Sequence, residues 1–355
     1  MEQRLSCRRT IKVTQKTGSI TLMDVAREAG VSLKTASRAL NDSPELRPET
    51  AALVRKAMLR LGYQPNELAR GLKSKRSAAI AMIAPNIADP FTATAIQSVQ
   101  DVARDHGYVV ILASSGGDVA LEESELQAMV RRQIDGIILI AANSRKSNLR
   151  ASIAARVPTV VMDEPVRAAE VDTITVTNRK ATREATEHLL SHGYRRILAI
   201  GARPSLFTCA ERVAGYRSAV GSAGTQAIEL LVQHEDELTP TLLAEFFSGP
   251  RPVDAVFSLN WVCAIRVLRG LKALKRNIPT DVAWISFDDF DLAEMIPPGL
   301  TVVRQPIRQL ADQAARNLFD RMQSKTNLAA RKIVLPTEFI IRGSCGCSPQ
   351  NSTVG

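Results

Sequence analysis

A small all-helical domain followed by an α/β region built on parallel strands is the fold class this sequence predicts. Three observations carry it. Residues 22–61 hold three short stretches with apolar residues at helical spacing. From Ala78 onward, apolar runs of strand length alternate with helical segments. The charge is also unevenly divided: residues 1–76 hold 16 basic and 7 acidic side chains and the remainder 30 and 29, so almost all of the net +10 sits on the first fifth of the chain. A basic excess confined to one small domain is the electrostatic footprint of nucleic-acid binding, whereas the larger part is nearly neutral. At 355 residues there is room for two or three domains with ample core.

The helical region is legible residue by residue. Leu22, Val25, Ala26 and Ala29 recur at i, i+3, i+4 and i+7 and give a first helix one apolar face. Gly30-Val31 breaks the pattern, and Ser32 is placed to N-cap a second helix running from Leu33 to Leu40. On it, Ala36 and Leu40 are expected to face inward, while Leu33, Ser37 and Asn41 follow the same spacing on another side and Lys34 and Arg38 form a pair of cations one turn apart. A third helix starts at Pro48, whose fixed φ suits the first helical position, and Val54, Ala57, Met58 and Leu61 are its apolar stripe. Two helices joined by a tight glycine-containing turn, the second displaying polar and basic groups, describe a helix-turn-helix whose second helix would enter the major groove of DNA.

The segments TLMDVAREAGVS, TASRALN and LGYQPNELARGL, in register and without gaps, closely resemble the lactose-repressor (LacI/GalR) family of bacterial transcription regulators. The resemblance implies double-stranded, palindromic operator DNA as partner, read by a homodimer. Leu33, Lys34, Ser37 and Arg38 match the family positions that face base edges, and Arg38 is the candidate for a bidentate contact to guanine O6 and N7. Thr21, Ser32, Thr35 and Asn41 match positions that anchor the DNA backbone and set register. Where family members often place Ser as N-cap of the third helix this chain has Arg47, so a weaker cap is expected. Residues 67–77, after a helix-turn-helix domain of residues 20–66, resemble the family hinge. There Leu72 matches the leucine wedged into the minor groove, and Ala69 lies one turn before it, where a larger side chain would obstruct the groove. Residues 1–19, with Arg4, Arg8, Arg9, Lys12 and Lys16 and little periodicity, read as a basic flexible tail.

Beyond the hinge, AIAMIAP, YVVILAS, DGIILIAA, VPTVVMD, TITVT, RRILAIGA, AIELLVQ, DAVFSL and VAWISFDD read as buried strands, too many for one comfortable sheet. The resemblance, which covers residues 21–342, implies a periplasmic-binding-protein-like arrangement of two lobes with parallel sheets and a cleft between them. This effector-binding and dimerisation domain would span residues 78–343. Lobe 1 would hold about 78–176 and 302–334 and lobe 2 about 177–301 and 335–343, with crossings near Thr177, Leu300-Thr301 and Pro336, and residues 344–355 form a loose tail. The stripe Leu310, Ala314 and Leu318 would pack within its lobe or against a partner.

A small-molecule effector is expected at the carboxyl ends of the strands. Asp89, Phe91, Asp163, Arg212, Asn260 and Asp288 coincide with family positions that line the cleft or hydrogen-bond effector. A guanidinium, an amide and a carboxylate supply both donors and acceptors, which suits a sugar or a nucleobase. Against the family pattern, Thr177, Glu164, Ser286 and Trp261 replace Asp, Arg, Gly and Asp; Trp261 reads as core rather than as a stacking platform. Losing two carboxylates while keeping Arg179 and Arg212 would ease the holding of an anionic sugar acid.

Catalysis finds little support. The four histidines (His106, His188, His192 and His234) stand near no nucleophile motif, and no phosphate-binding loop, dinucleotide fingerprint or HExxH occurs. No cofactor and no metal are expected: Cys345-Gly-Cys347 offers two ligands, and two ligands do not make a zinc site. No run of about 18 apolar residues reads as a membrane span, and no secretory signal is expected, so the reading is cytoplasmic. An enzyme or a solute-binding protein of the same α/β fold with an appended DNA-binding domain is the alternative, and the second of these leaves the helix-turn-helix without a purpose.

Overall fold

The computed structural model describes residues 20–40, 43–64, 77–167, 169–324, 326 and 328–347. The chain divides into two compact units, Met1–Lys75 and Arg76–Gly355.

In the first unit, helices α1 (Leu22–Glu28), α2 (Leu33–Leu40) and α3 (Pro48–Leu61) enclose one small core of Val25, Ala26, Ala36, Ala39, Val54 and Ala57. Thr21 and Asp24 close a capping box on α1: Asp24 N–H donates to Thr21 Oγ1 (3.4 Å) and Thr21 N–H to Asp24 Oδ2 (3.0 Å). The Thr35 N–H donates to Ser32 Oγ at 3.1 Å, which caps α2. Arg47 makes no side-chain cap bond, so the start of α3 rests on Pro48, and the helix ends on Gly62 in left-handed backbone. The inward pair on α2 is Ala36 and Ala39 rather than Ala36 and Leu40, which is half-buried. Two methyl groups an i, i+3 step apart let three short helices approach closely, and a leucine at the second position would not fit so small a core.

The second unit contains two six-stranded sheets, each with helices against it. The first holds β1 (Ala79–Ala84), β2 (Val109–Ser114), β3 (Gly136–Leu139), β4 (Thr159–Met162), β5 (Asp172–Val176) and β11 (Lys332–Leu335), in the order β11-β5-β4-β3-β1-β2 and parallel throughout. The second holds β6 (Ile197–Ala202), β7 (Ile228–Val232), β8 (Ala255–Ser258), β9 (Ala283–Phe287), β10 (Thr301–Arg304) and β12 (Glu338–Ile340), ordered β12-β10-β9-β8-β6-β7, with only β12 antiparallel to its neighbour. Alternate residues of one strand feed opposite cores. Ile80 and Met82 join one cluster and Ala79, Ala81 and Ile83 another, while Ile197 and Ala199 are separated from Leu198 and Ile200 in the same way. Burial on both faces is what the unbroken apolar runs specify.

The helices that matter for the site are α4 (Pro90–Asp105) and α5 (Val119–Arg131) in lobe 1. Lobe 1 also holds the short α6 (Arg150–Ala154), and in lobe 2 come α7 (Asn178–Ser191), α8 (Phe207–Ser222), α9 (Pro240–Phe247) and α10 (Trp261–Ala273). The chain then returns to lobe 1 with α11 (Ile307–Gln323). Leu310, Ala314 and Leu318 of α11 are fully buried among Ile80, Met82 and Ile138, so this stripe packs within its own lobe.

Two boundary expectations need correction. Thr301–Arg304 is a strand of lobe 2, pairing with Ile285–Phe287 on one side and with β12 on the other, so the second crossing falls after Arg304 and not at Leu300-Thr301. Val302 and Val303 go to different cores of that lobe, which is what fixes the strand there. The segment after residue 343 is not a loose end as far as it is described. Ser344 and Cys345 are fully buried, Ser344 Oγ donates to Trp284 O (2.5 Å), and it accepts from Thr301 N–H (2.8 Å). The first and third crossings lie side by side, where Thr337 N–H donates to Thr177 Oγ1 (3.2 Å) and Thr177 N–H to Leu335 O (3.1 Å).

Ser344→Ala strips both Trp284 O and Thr301 N of a buried partner. It should cost about 1–3 kcal/mol in urea denaturation, and a loss indistinguishable from zero would return residues 344–347 to the status of a tail.

Candidate DNA-binding and effector sites

On α2 the buried alanine face leaves the rest of the helix outward. Leu33 is 51% exposed, Lys34 and Arg38 are exposed, and Thr35 and Ser37 are half-buried. Arg38 contacts Glu45 at 3.3 Å. An ion pair so open to solvent is worth only about 0–1 kcal/mol, so the guanidinium is readily exchanged to another acceptor. Thr21 and Ser32 spend their hydroxyls on helix caps, with Ser32 Oγ also 2.8 Å from Thr35 Oγ1. Asn41, Ala69 and Leu72 lie outside the described residues.

In the second unit, elements of both lobes wall a cavity of about 800 Å³. Lobe 1 supplies the first turn of α4 (Pro90, Phe91 and Thr94) and the start of α11; lobe 2 supplies Trp261 and Ile265 of α10, the loop from Asp288 to Leu292, and Arg304. Phe91 and Asp288 are therefore the predicted residues that line it. Asp89, Asp163, Arg212 and Asn260 fall outside this lining and organise what stands beside it.

Arg212, on α8, is 5% exposed and held from several sides. Its Nε donates to Asn178 Oδ1 (2.8 Å), its Nη1 donates to Leu259 O (2.7 Å) and lies 4.0 Å from Asp288 Oδ2, and its guanidinium stacks 3.7 Å above the Phe287 ring. Asn260 turns inward to cap α10, accepting from Cys263 N–H at 2.8 Å. Asp288 accepts from Trp261 N–H (3.2 Å) and from the Gln305 amide (2.6 Å). Asp89 caps α4 through Phe91 N–H (2.9 Å) and accepts the indole Nε1–H of Trp261 across the cleft at 3.0 Å; burial raises its pKa despite that bond. Trp261 is thus a wall of the cleft and not core. Glu164, in lobe 1, makes a second bridge: its carboxylate accepts from Phe207 N–H (2.5 Å) and Thr208 N–H (3.3 Å) at the start of α8, whose own N-cap, Leu206, has no polar side chain. Burial pushes the Glu164 carboxyl up as well.

Two acceptors stand out. Gln305 Oε1, on a lining residue, and Asp163 Oδ1 are buried without a hydrogen-bond partner among the described residues. Asp163 sits just past β4 in left-handed backbone (φ 63). Burial pushes its carboxyl up to about 7; Arg212 pulls it down, while Glu164, Asp288 and Asp89 add to the rise. An orphaned acceptor on a residue lining a partly apolar cavity suits a ligand that brings hydroxyl donors.

Sequence reasoning missed most of the lining: Asp289 to Leu292 and the run from Arg304 to Gln309. The available signal was the rule that ligands gather at the carboxyl ends of strands, applied to β9 and β10. Placing the crossing before β10 hid the second of these.

The lacI family of bacterial regulatory proteins matches residues 21–66. The periplasmic binding protein-like domain matches residues 186–345. The helix-turn-helix transcriptional regulator CelR of Thermobifida fusca is 32% identical over 91% of this chain and 98% of its own length. The chain belongs to the lacI family. A solved lacI-family relative, the CelR–cellobiose complex, superposes with a TM-score of 0.67 at 29% identity over 92% of this chain and 99% of the other. The Lac repressor dimer bound to operator and the anti-inducer ONPF shares the fold, with a TM-score of 0.81 at 21% identity over 92% and 99%. As a family member, this chain is a helix-turn-helix transcription regulator.

The Asp163 carboxyl gives this regulator a pH signature. Its value rises from 3.8 to about 7 on folding, so across that window the folded chain holds a proton that the unfolded chain has lost. The contribution to stability is therefore complete below the lower value and is lost as pH rises through the upper one. Asp163→Asn should flatten the stability curve and gain on the parent between about pH 4 and about pH 7. Parallel denaturation curves for the two proteins across that range would reject this assignment.

Proposed function

We propose that this lacI-family regulator binds a palindromic operator as a homodimer and that a neutral sugar in the interlobe cavity sets its affinity for DNA. The observation that carries the DNA-reading half is α2 itself: alanines inward, and Leu33, Lys34 and Arg38 outward on one short helix. In this reading Leu33, Lys34, Ser37 and Arg38 meet base edges, with Arg38 on a guanine. Thr21, Ser32, Thr35 and Asn41 fix register on the backbone, and Leu72, with Ala69 beside it, enters the minor groove.

A dimer is supported by lobe 1. Its edge strand β2 leaves Val109 64% and Leu112 37% exposed, and Leu121 of α5 is 44% exposed. An apolar, unpaired sheet edge invites association, and a second copy is the occupant that two-fold operator symmetry requires.

The effector reading rests on Gln305 Oε1, which has no hydrogen-bond partner among the described residues, and on Phe91 and Trp261 as apolar faces. The anionic sugar acid loses its support here. Arg212 is buried and lies outside the cavity lining, Arg179 is exposed and paired with Glu211, and the cavity carries Asp288, Asp289, Asp291 and Glu294 against Arg304 and Arg308. The cellobiose bound by CelR agrees with a neutral ligand. The effector acts by preferring one lobe arrangement, and operator and effector affinities are then reciprocally coupled.

Selection of genomic fragments by the purified protein should enrich a palindrome, and Arg38→Ala should relax preference at one base pair per half-site by about 1–3 kcal/mol. An unchanged sequence preference would remove Arg38 from its role. In titrations monitored by Trp fluorescence, neutral mono- or disaccharides should bind and weaken or tighten operator binding, while aldonic acids should not. Binding by the acids alone would overturn the neutral-ligand reading without touching the DNA-binding one.

A further inference from the structure

Away from the cleft, on lobe 2, three side chains from distant parts of the sequence converge. His188 lies in the last turn of α7 and His192 is its C-cap, an i, i+4 step that puts both rings on one face of the helix. Their rings meet edge to face, with centroids 4.7 Å apart. Cys347 comes to them from the C-terminal segment: its Sγ lies 3.1 Å from His192 Nε2 and 3.6 Å from His188 Nε2. All three donor atoms fall within 4.8 Å of one another. The chain is aimed there by Gly346, in left-handed backbone at φ +92, where an added Cβ would stand 2.8 Å from the Tyr194 hydroxyl oxygen. The turn that carries Cys347 back onto α7 therefore needs glycine at that position.

These separations are informative. Thiolate and imidazole ligands of a tetrahedral zinc ion, at about 2.3 Å and about 2.0–2.1 Å from the metal, are held about 3.5 Å from one another. The donors here already stand near that spacing, and they are nitrogen and sulfur, which suit borderline and soft cations rather than Mg²⁺ or Ca²⁺. Cys345 stands behind them: it is fully buried, its sulfur accepts from the Thr301 hydroxyl at 3.3 Å, and it is not among the donors that gather within 4.8 Å of one another. Three such donors leave the fourth position of a tetrahedron open to a water molecule.

We propose that His188, His192 and Cys347, with a water molecule in the fourth position, form a tetrahedral site for a thiophilic divalent cation of the Zn²⁺ class, which staples residues 343–347 to α7. Read alone, Cys345 and Cys347 offer two ligands, and the histidines that meet Cys347 lie more than 150 residues upstream. The site is independent of the effector cavity and of the DNA-reading helix. Its occupant stabilises lobe 2 by binding the folded chain in preference to the unfolded one.

The test uses the full chain, reduced, stripped with a chelator and titrated anaerobically with Co²⁺, then with Zn²⁺ as competitor. One equivalent of Co²⁺ should produce the intense d–d absorption of a tetrahedral centre together with thiolate-to-metal charge transfer. Zn²⁺ should displace it, and metal should raise the thermal midpoint. His192→Gln, at an exposed position, and Cys347→Ser, at a half-buried one on the margin of the core, should each weaken binding by more than the about 10–100-fold that loss of an outer-sphere partner costs. Their metal-free midpoints should match that of the metal-free parent, which shows that the variants fold. Cys7→Ser should change nothing. A weak octahedral Co²⁺ spectrum, binding insensitive to both substitutions, or a Cys345–Cys347 disulfide in anaerobically purified protein would each overturn the site.

Discussion

A buried guanidinium has to be surrounded by acceptors, and Arg212 shows how much structure that requirement can fix. Its partners come from the start of α7, from the residue after β8 and from the residue after β9. Three loops are thereby held at set distances from one helix. Removing the charge would leave Asn178 Oδ1 and Leu259 O without a donor in a region that excludes water, and such groups are costly to strand. Because Asn260 and Trp261 come straight after Leu259 and Asp288 is itself an anchored position, the wall of the cleft inherits its geometry from a residue that does not line it. In this chain Arg212 acts as the frame around a binding site.

That frame lies within lobe 2, and lobe 1 meets it through polar bonds. Trp261 donates to Asp89, Glu164 caps the first turn of α8, and the Gln305 amide reaches Asp288. Each is a directional contact between groups that water or a polyol could satisfy instead. Little apolar area has to be exposed to exchange them, which is the property a ligand-controlled cleft needs: alternatives close in free energy, distinguished by which hydrogen bonds are made. The paired threonines at the crossings, Thr177 and Thr337, hold two connecting strands side by side, so any relative motion of the lobes pivots on a tied point.

How much of this was readable in advance follows from what each element depends on. Most of the strands β1 to β9 are apolar runs, with Asp172 and two threonines in β5 and Glu229 in β7 among the interruptions, and the helix-turn-helix has its own caps and period, so local pattern was enough. β10, β11 and β12 are three or four residues long, and β11 and β12 are only partly buried. Their identity as strands depends on which neighbour pairs with them, and TVVR carries no sign of its lobe. The burial of Ser344 is decided by a carbonyl of Trp284, 60 residues earlier. For the cleft, position alone identified Phe91 and Asp288 as lining residues. It did not separate residues that face a ligand from those, such as Asn260, whose side chain is turned onto its own helix. Trp261 was misjudged because size suggests core, whereas its indole N–H had a partner only across the cleft.

The interleaving of the lobes has a consequence for the order in which the molecule can be assembled. Lobe 1 is begun with β1 at Ala79 and is not complete until β11, at Lys332–Leu335, joins its edge; lobe 2 waits for β12, at Glu338–Ile340. A chain emerging from the ribosome can therefore close the three-helix unit early, from contiguous sequence. It must then carry two unfinished sheets, each with an open edge, until almost the whole of the second unit has been made. During that interval the DNA-reading helix is formed while the lobes that would govern it are not.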